Sequence, residues 1–405
     1  MPSPSHGIWN RCLLEALAEK GHEVTALTAY FGENATNISE QFAAILPKFK
    51  APIVILNAFA DGFWHWDLLG VENSPAVFTH PLMSFSSPMN FLERMQNFVT
   101  LYYEKYIYQQ YLLRQQALAD KVFGEAAGKI QDAKNLYDLF LINSGPPGLD
   151  LSRSLPPNYK EVGCIQCRPN DSNKLQREVK EFLDGAKDGF VYFSLGTNIK
   201  SSLLPKHVMN DILKTFDNLK LKVLWKFEND DMPGKPVNVM INKWLSQQDV
   251  IGHKNCRLFI THGGRLSIQE AAYHGVPLVI IPFYIDQHKN GEVAAKSEIG
   301  VTINFLEFSR ERFETAIRKV LDDPKFKRKA QKQSEIAQDT MSTPLETAVF
   351  WIEYVARHKG AKHLRPASLE LNFVQRHCLD VIAFLIASVI LLLFTMKIMI
   401  VYFII

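Results

Sequence analysis

The second half of the chain alternates between short apolar runs and longer amphipathic stretches. Runs rich in β-branched and aromatic residues lie at 190–197, 221–227, 237–241, 257–261 and 277–282. Helical patterns of about 10–15 residues separate strands of this kind, and three charged helices are predicted between residues 309 and 360. This alternation predicts a parallel, doubly wound sheet that binds ligands at the carboxyl ends of its strands.

The first half is less regular. Its apolar spacing predicts a helix that begins near Ile8 and ends at Gly21. The other predicted elements are a strand at 23–28, a buried strand at 51–59, a long aromatic-rich helix at 98–130 and a strand at 136–143. Because such a helix normally crosses between two parallel strands, the pattern predicts that a strand preceding it is missing.

The C-terminal segment is apolar on every helical face. Residues 381–405 contain a single charge, Lys397. As a helix they would be about 37 Å long, which is enough to cross a hydrocarbon core of about 30 Å with some tilt. A buried helix of a soluble protein is rarely apolar all round at this length, so the segment predicts a transmembrane helix.

The N-terminal residues hold no apolar core of a signal peptide. As written, the chain is expected to insert through its C-terminal segment after synthesis, with the remaining residues in the cytosol. The sequons at Asn34, Asn37 and Asn170 would then stay unmodified, and would gain glycans if a signal peptide were restored.

Composition narrows the function only a little. The 405 residues are 47% hydrophobic and 21% charged, as in an ordinary globular protein. Lys and Arg number 45 against 42 Asp and Glu, and this net charge of +3 gives no support for nucleic-acid binding. Five cysteines are too few and too scattered for a disulfide framework. Cys164 and Cys167 form one C-x-x-C without the second pair or the nearby His that a zinc site needs, so zinc is the minor interpretation.

One strand–turn–helix carries candidate chemistry. The strand at 257–261 runs into His262, Gly263 and Gly264, and a helix follows. Free backbone N–H groups at such a turn, together with the helix dipole, attract an anion such as a phosphate. Taken alone, the turn is more typical of an ordinary surface turn than of an anion site. The ordered run that follows, with Glu270 and then Asp286, favours a ligand site.

Residues 259–287, FITHGGRLSIQEAAYHGVPLVIIPFYIDQ, resemble the signature of the UDP-glycosyltransferases, the UDP-glucuronosyl- and UDP-glucosyltransferases that conjugate small lipophilic molecules in detoxification. The residues of this segment are most similar to those of insect members. The similarity extends through residues 2–10, 89–97, 192–198, 243–253, 344–365 and the final apolar helix. It covers nearly all of the chain except about residues 30–50.

The resemblance implies the α/β fold class called GT-B, in which two Rossmann-like, doubly wound domains face each other. It implies an acceptor-binding domain at 1–166, a linker at 167–188, a UDP-sugar-binding domain with C-terminal helices at 189–370 and one transmembrane helix at 381–405. The family would have more chain at the N-terminus, between about residues 29 and 51, and in the C-terminal tail. The N-terminal domain is therefore expected to be truncated.

The resemblance also assigns nine residues to one UDP-sugar. The uracil would lie against Trp244 and Gln247, the diphosphate against Thr197, His262, Gly264 and Ser267, the ribose against Glu270, and the sugar against Asp286 and Gln287. An indole can stack on a base, and amides and carboxylates can hydrogen-bond its edge or a hydroxyl. The alternatives are a core aromatic for Trp244 and a solvated helix N-terminus for Asp286 and Gln287. No metal or cofactor is implied.

His6 corresponds to the family's general base. It lies just before the first predicted helix, whose positive end favours the neutral imidazole. That form would remove the proton from an acceptor hydroxyl as it attacks the anomeric carbon with inversion. The family's orienting Asp cannot be placed, because Asp61 and Asp67 do not sit in its motif. Leu266 differs from the Asn common in vertebrate and plant members, so Ser267 and backbone amides would carry that part of the phosphate site.

The function implied is transfer of glucose or glucuronate from a UDP-sugar to a small lipophilic acceptor, and the insect-like spelling favours glucose. The complete protein would lie in the endoplasmic reticulum membrane as a single-pass protein with lumenal catalytic domains. The rival hypothesis is a catalytically impaired membrane protein that binds UDP-sugar or a full-length partner, in a homo- or hetero-oligomer. The missing segments favour it, and they equally suit an incomplete gene model or a splice product of an enzyme. They lead us to expect poor sugar transfer by the chain as written. A nucleotide-sugar epimerase is disfavoured because it needs no membrane anchor.

Overall fold

The computed structural model describes residues 4–23, 44, 46–58, 66, 70, 74–80, 83, 85, 87–145, 155–284 and 286–404. The strand predicted at 23–28 lies almost entirely outside these residues. The sequons at Asn34 and Asn37 and the carboxylates of Asp61 and Asp67 also lie outside them.

The described strands form two parallel sheets. The first sheet contains β1 (Ile53–Asn57), β2 (Tyr137–Ile142) and β3 (Tyr159–Glu161), in the order β1-β2-β3. The second sheet contains β4 (Phe190–Ser194), β5 (Lys222–Lys226), β6 (Val239–Asn242), β7 (Cys256–Thr261), β8 (Leu278–Ile280) and β9 (Gly300–Thr302). Its order is β6-β5-β4-β7-β8-β9, which is the doubly wound Rossmann order. The order therefore reverses between β4 and β7, where such sheets bind ligands.

Helices connect and cover these strands. They are α1 (Pro4–Glu19), α2 (Phe91–Phe123), α3 (Arg177–Asp184), α4 (Lys206–Asp217), α5 (Gln247–Ile251), α6 (Arg265–His274), α7 (Gln287–Lys296), α8 (Arg310–Asp322), α9 (Pro324–Gln338), α10 (Pro344–Arg357), α11 (Phe373–Arg376) and α12 (Leu379–Ile404). The strand and helix predictions for the second half are confirmed to within a few residues, because the alternating pattern is strong there. The three charged helices are α8, α9 and α10.

Two predictions in the first half need correction. The long helix begins at Phe91 rather than Phe98, because Asn90 and Glu93 form a reciprocal capping box, and it ends at Phe123. The strand predicted as buried at 51–59 is shorter, at Ile53–Asn57, and is only half-buried. Among the strands that the structure describes, it pairs with β2 alone.

Both faces of the second sheet are buried. Because side chains alternate along a strand, Val191 and Phe193 of β4 enter one core and Phe190 and Tyr192 enter the other. The segment predicted as a linker contains α3, whose Val179 packs into the second of these cores. This helix was missed because only two of its eight residues are buried.

The first sheet is covered partly by chain that follows the second sheet. Leu139 and Leu141 of β2 pack with Trp9 and Leu13 of α1, and also with Val349 of α10. Helix α10 is well defined at its start, since Thr343 and Glu346 form a capping box with Pro344 at the first position. The chain therefore returns to the first sheet after completing the second. The predicted division into domains stays a prediction.

Helix α12 contacts the short helix α11 that precedes it, and its side chains from 379 to 403 are exposed. Residues Leu379–Phe403 have a mean hydropathy of 2.6 over the best window, and none of that window is buried. By length and composition this helix can cross a membrane, as the apolar run predicted.

Candidate active site

A cavity of about 430 Å³ opens where the order of the second sheet reverses, beyond the carboxyl ends of β4 and β7. All nine residues predicted to bind UDP-sugar line it. They are Thr197, Trp244, Gln247, His262, Gly264, Ser267, Glu270, Asp286 and Gln287. The first-sheet side contributes Ile8 and Ala58 to the same cavity. The nine predicted residues, which extend from Thr197 to Gln287, and two residues from the first half of the chain thus lie around one cavity.

His6 is the one predicted site residue that cannot be located fully. Its side chain lies outside the described residues. Its backbone lies in the first turn of α1, which begins at Pro4, so the expectation that it precedes the helix is wrong. Ile8, two residues further along the same helix, lines the cavity.

His262 lies between two glycines. A Cβ atom at Gly196, whose φ is +77°, would come 2.5 Å from the imidazole Cε1 atom, and one at Gly264 would also collide with the ring. Glycine is therefore required at both positions for the ring to sit there. Burial, with the nearby Lys226 cation, lowers the pKa of His262 to about 4. In this state the imidazole is neutral at pH 7 and can offer a hydrogen bond but no charge.

The N-terminus of α6 opens into the cavity. Gly264 precedes the helix and has no side chain that could cap the amides of Arg265, Leu266 and Ser267. Such amides and the helix dipole favour an anion. Leu266 itself is 9% exposed and belongs to the core of the first sheet, which explains an apolar residue at this position.

Glu270 is the centre of a hydrogen-bonded network. Gln247 donates from Nε2 to its Oε2 atom at 2.7 Å, and also to Ser267 Oγ at 3.1 Å. Gln166 donates from Nε2 to Glu270 Oε1 at 3.3 Å. Burial raises the pKa of Glu270 to about 7, against the lowering effect of Gln247, Gln166 and the Arg168 charge. This carboxyl is therefore poised between its two protonation states near neutral pH.

Trp244 presents an aromatic face at the other end of the cavity. Its side chain is 54% exposed, which is unusual for so large an apolar group and excludes the core alternative. Its backbone N–H donates to Asn242 Oδ1 at 3.1 Å, and α5 begins three residues later. The indole is thus available for stacking.

Asp286 and Gln287 lie at the start of α7. Asp286 Oδ2 accepts from Asn290 Nδ2 at 2.9 Å. Gln287 is buried, and its Oε1 accepts from the backbone N–H groups of Phe283 and Tyr284 at 2.9 and 3.3 Å. The solvated-terminus alternative does not describe Gln287, since its side chain holds the preceding loop.

Lys226 and Gln166 were missed by the sequence analysis. Lys226 ends β5 and lines the cavity, and its Nζ donates to Gly196 O at 3.1 Å and pairs with Glu228 at 2.8 Å. Lys226 could have been predicted to face the site, because doubly wound sheets bind ligands at the carboxyl ends of their strands and a cation at such an end is unusual. Gln166 carries no local signal, because its partner lies 104 residues away.

The residues that the structure describes contain no group of three or more His, Cys, Asp or Glu side chains placed to hold a metal ion. Cys164 and Cys167, the pair considered for zinc, are joined in a disulfide. The sequence analysis did not anticipate this pairing.

The two sheets and the position of the cavity can be compared with known structures. The glycotransferase of kitacinnamycin is similar over 87% of this chain and 89% of its own, with a TM-score of 0.54 at 19% sequence identity. The fold of the chain is that of the GT-B glycosyltransferases, which confirms the predicted fold class.

Sequence comparison gives the family. The profile described as UDP-glucoronosyl and UDP-glucosyl transferase matches residues 5–404. UDP-glucosyltransferase 2 of Dactylopius coccus is 34% identical over 360 residues, and UDP-glucuronosyltransferase 2B18 of Macaca fascicularis is 33% identical over 385 residues. The chain belongs to this UDP-glycosyltransferase family, which consists of hexosyltransferases. Matching segments cover 88% and 94% of the chain, and 68% and 70% of the two relatives.

Proposed function

We propose that the chain transfers glucose or glucuronate from a UDP-sugar to a hydroxyl of a small lipophilic acceptor. The observation that carries the proposal is that the nine residues assigned by the resemblance all line one cavity at the sheet reversal. Trp244 stacks on the uracil and Gln247 bonds its edge. Glu270 accepts from the ribose hydroxyls, and Asp286 and Gln287 bind the sugar.

The diphosphate lies, in this proposal, at the N-terminus of α6. The amides after Gly264, the Thr197 and Ser267 hydroxyls and the neutral His262 ring supply hydrogen bonds, and Lys226 supplies the positive charge. These groups are fixed before the reaction, so they stabilise the charge that grows on the leaving UDP without having to reorganise. The proposal needs no metal ion and no cofactor beyond the UDP-sugar.

Catalysis requires a base at the acceptor oxygen. The acceptor O–H bond breaks as the oxygen forms a bond to the anomeric carbon, and the bond from that carbon to UDP breaks with its electron pair leaving on UDP. We assign the proton to His6 and expect inversion, since attack and departure occur on opposite faces. Its place in the first turn of α1, near the positive helix end, favours the neutral imidazole that this step needs.

Helix α12 supplies the proposed setting. It would span the endoplasmic reticulum membrane once, with the two sheets on the lumenal side, where lipophilic acceptors can reach the site from the bilayer. The support is the length and apolar composition of Leu379–Phe403 together with the family membership.

Assay of the full chain in detergent micelles tests the proposal. UDP binding is measured by calorimetry, and turnover is measured with UDP-glucose or UDP-glucuronate and a phenolic acceptor. The expected result is UDP binding with only slow turnover, which His6→Ala abolishes, because the chain as written is expected to transfer sugar poorly. Binding without turnover would support the rival, a catalytically impaired protein that acts by binding UDP-sugar or a full-length partner. Failure of the folded chain to bind UDP would overturn the site assignment.

A further inference from the structure

The Glu270 carboxyl is held by two amides that come from different parts of the molecule. Gln247 lies on α5, next to Trp244. Gln166 lies after β3 of the first sheet, on the segment that connects the two sheets, and it is 4% exposed. The nucleotide site in the second sheet therefore includes a side chain that the connecting segment supplies.

Gln166 is fixed in place on α5. Its backbone carbonyl accepts from the Gln248 side chain, and Gln248 Oε1 accepts from the backbone N–H of Arg168 at 3.1 Å. The Arg168 guanidinium makes two parallel bonds, of 2.8 and 2.7 Å, to the fully buried carboxylate of Asp249. Such a bidentate pair is the most directional ion pair that proteins make. The connecting segment is thus locked to the helix that carries Gln247.

The Gln166 side chain is not explained by stability alone. Its Oε1 atom is buried and has no hydrogen-bond partner among the described residues. An unsatisfied buried acceptor costs free energy, so an apolar side chain of the same shape would fit this position better. What the amide provides is its N–H bond to Glu270.

We propose that Gln166 is a positioning residue for the nucleotide, one that fixes the orientation and charge of the carboxyl that receives the ribose hydroxyls. The proposal rests on the function proposed above and adds to it that the connecting segment completes the ribose site. Affinity for the nucleotide then depends on how this segment is docked, and not on the second sheet alone.

The bond from Gln166 also acts on the ionisation of Glu270. Donation to a carboxylate lowers its pKa, so loss of this bond leaves burial less opposed and raises the pKa further. The other titratable groups that interact with Glu270 are Arg168 on the connecting segment, Tyr192 on β4 and Cys12 on α1. A substitution of Gln166 leaves all three in place.

The test uses Gln166→Met in the full chain, with UDP and 2′,3′-dideoxy-UDP as matched probes in calorimetry. We expect UDP to bind roughly three- to tenfold more weakly, which is the range for loss of one hydrogen-bonded partner. Affinity for the dideoxy nucleotide should change little, because it lacks the hydroxyls that Glu270 receives. The pH midpoint for uridine binding should move upward. Gln116→Met is the control, since this half-buried glutamine on α2 bonds Gly128 and Ile130 and does not line the cavity.

Three results would overturn the inference. Equal weakening of both nucleotides would show that Gln166 has only a structural role, and unchanged UDP affinity would show that it has none. If Gln166→Met unfolds, Gln166→Asn replaces it as the test variant, since it keeps the amide on a shorter side chain. Its loss of affinity for UDP is then compared with its loss for the dideoxy nucleotide in the same way. If the unaltered chain binds neither nucleotide, the proposed function fails first, and the inference fails with it.

Discussion

The two sheets of this molecule differ in how much of their surface is buried. The second sheet has six strands, and both of its faces are covered by large apolar cores. The first sheet has three described strands, its outer strand β1 is half-buried, and one face depends on α10 from the far end of the chain. A strand that is buried on both faces limits which side chains can pack beside it much more than a half-buried strand does.

The consequence for function is that the second sheet holds most of the residues proposed to bind the nucleotide, while parts of the chain outside this sheet bond to α6 and α7. Gly145, just beyond β2, accepts from Arg265 at 3.3 Å and from Gln269 at 2.7 Å, both on α6. Lys289 on α7 donates to Thr79 O at 2.9 Å. The helices whose N-termini face the cavity are therefore held from both sides. Four experiments test this difference between the two sheets.

The largest contrast is expected from core truncations. Phe193 on β4 is fully buried, with its ring centroid 4.7 Å from that of Trp225 and 5.8 Å from that of Phe216. Phe193→Ala should lower the free energy of unfolding by roughly 3–5 kcal/mol, whereas Ile55→Ala on half-buried β1 should cost at most about 2 kcal/mol. Urea unfolding of the full chain in detergent measures both. Similar losses would mean that the first sheet is as tightly packed as the second.

Leu266 tests the junction between the sheets. It belongs to α6 of the second sheet, but its side chain is packed in the core of the first with Trp9 and Leu13. Leu266→Ala should cost roughly 2–4 kcal/mol, the range of a Leu truncation in a well-packed core. Leu306→Ala is the control, because that side chain is 92% exposed and should change stability little. A loss no larger than the control's would show that the two sheets are energetically independent.

Local patterns predicted most of the second sheet, and the resemblance to the UDP-glycosyltransferases supplied the nine residues that line its cavity. His262 and Gly264 could be placed because a strand end, a glycine turn and a helix start are adjacent in sequence. The return of α10 to the first sheet, the burial of Leu266 and the bond from Gln166 to Glu270 could not be predicted. Each depends on side chains 80 or more residues apart, and no periodicity within one element reports such a contact.

Substitution of Trp244 tests whether a residue of the cavity can affect ligand binding without affecting stability. Because the indole is 54% exposed, Trp244→Ala should leave stability nearly unchanged. It should weaken UDP binding by roughly 1–3 kcal/mol, as loss of aromatic stacking on a base does elsewhere. The control is Trp351→Ala on α10, whose ring packs under Lys160 with Nζ 3.7 Å from the centroid and does not line the cavity. That variant should lose stability but keep its UDP affinity, and the reverse pattern would contradict the assignment of Trp244 to the uracil.

The smallest effect on ligand affinity is expected from pH and concerns Glu270. Burial raises its pKa to about 7, so the folded chain binds more protons than the unfolded chain between the ordinary value of 4.5 and about pH 7. Stability of the unliganded chain should therefore fall as pH rises through this window. Affinity for uridine, which carries no phosphate, should rise between pH 6 and 8 by up to about tenfold, because only about one carboxyl in ten is ionised one pH unit below its pKa.

Glu270→Gln shows which part of the pH dependence of stability and of uridine affinity comes from Glu270 rather than from other titratable groups. The amide cannot ionise, so both the fall in stability and the rise in affinity assigned to this carboxyl should disappear, while contributions such as that of His262 remain. His262 does not produce the rise in affinity, since its pKa of about 4 keeps it neutral from pH 6 to 8. If uridine affinity rises equally in Glu270→Gln, the carboxyl does not receive the ribose hydroxyls, and the ribose must bind elsewhere in the cavity.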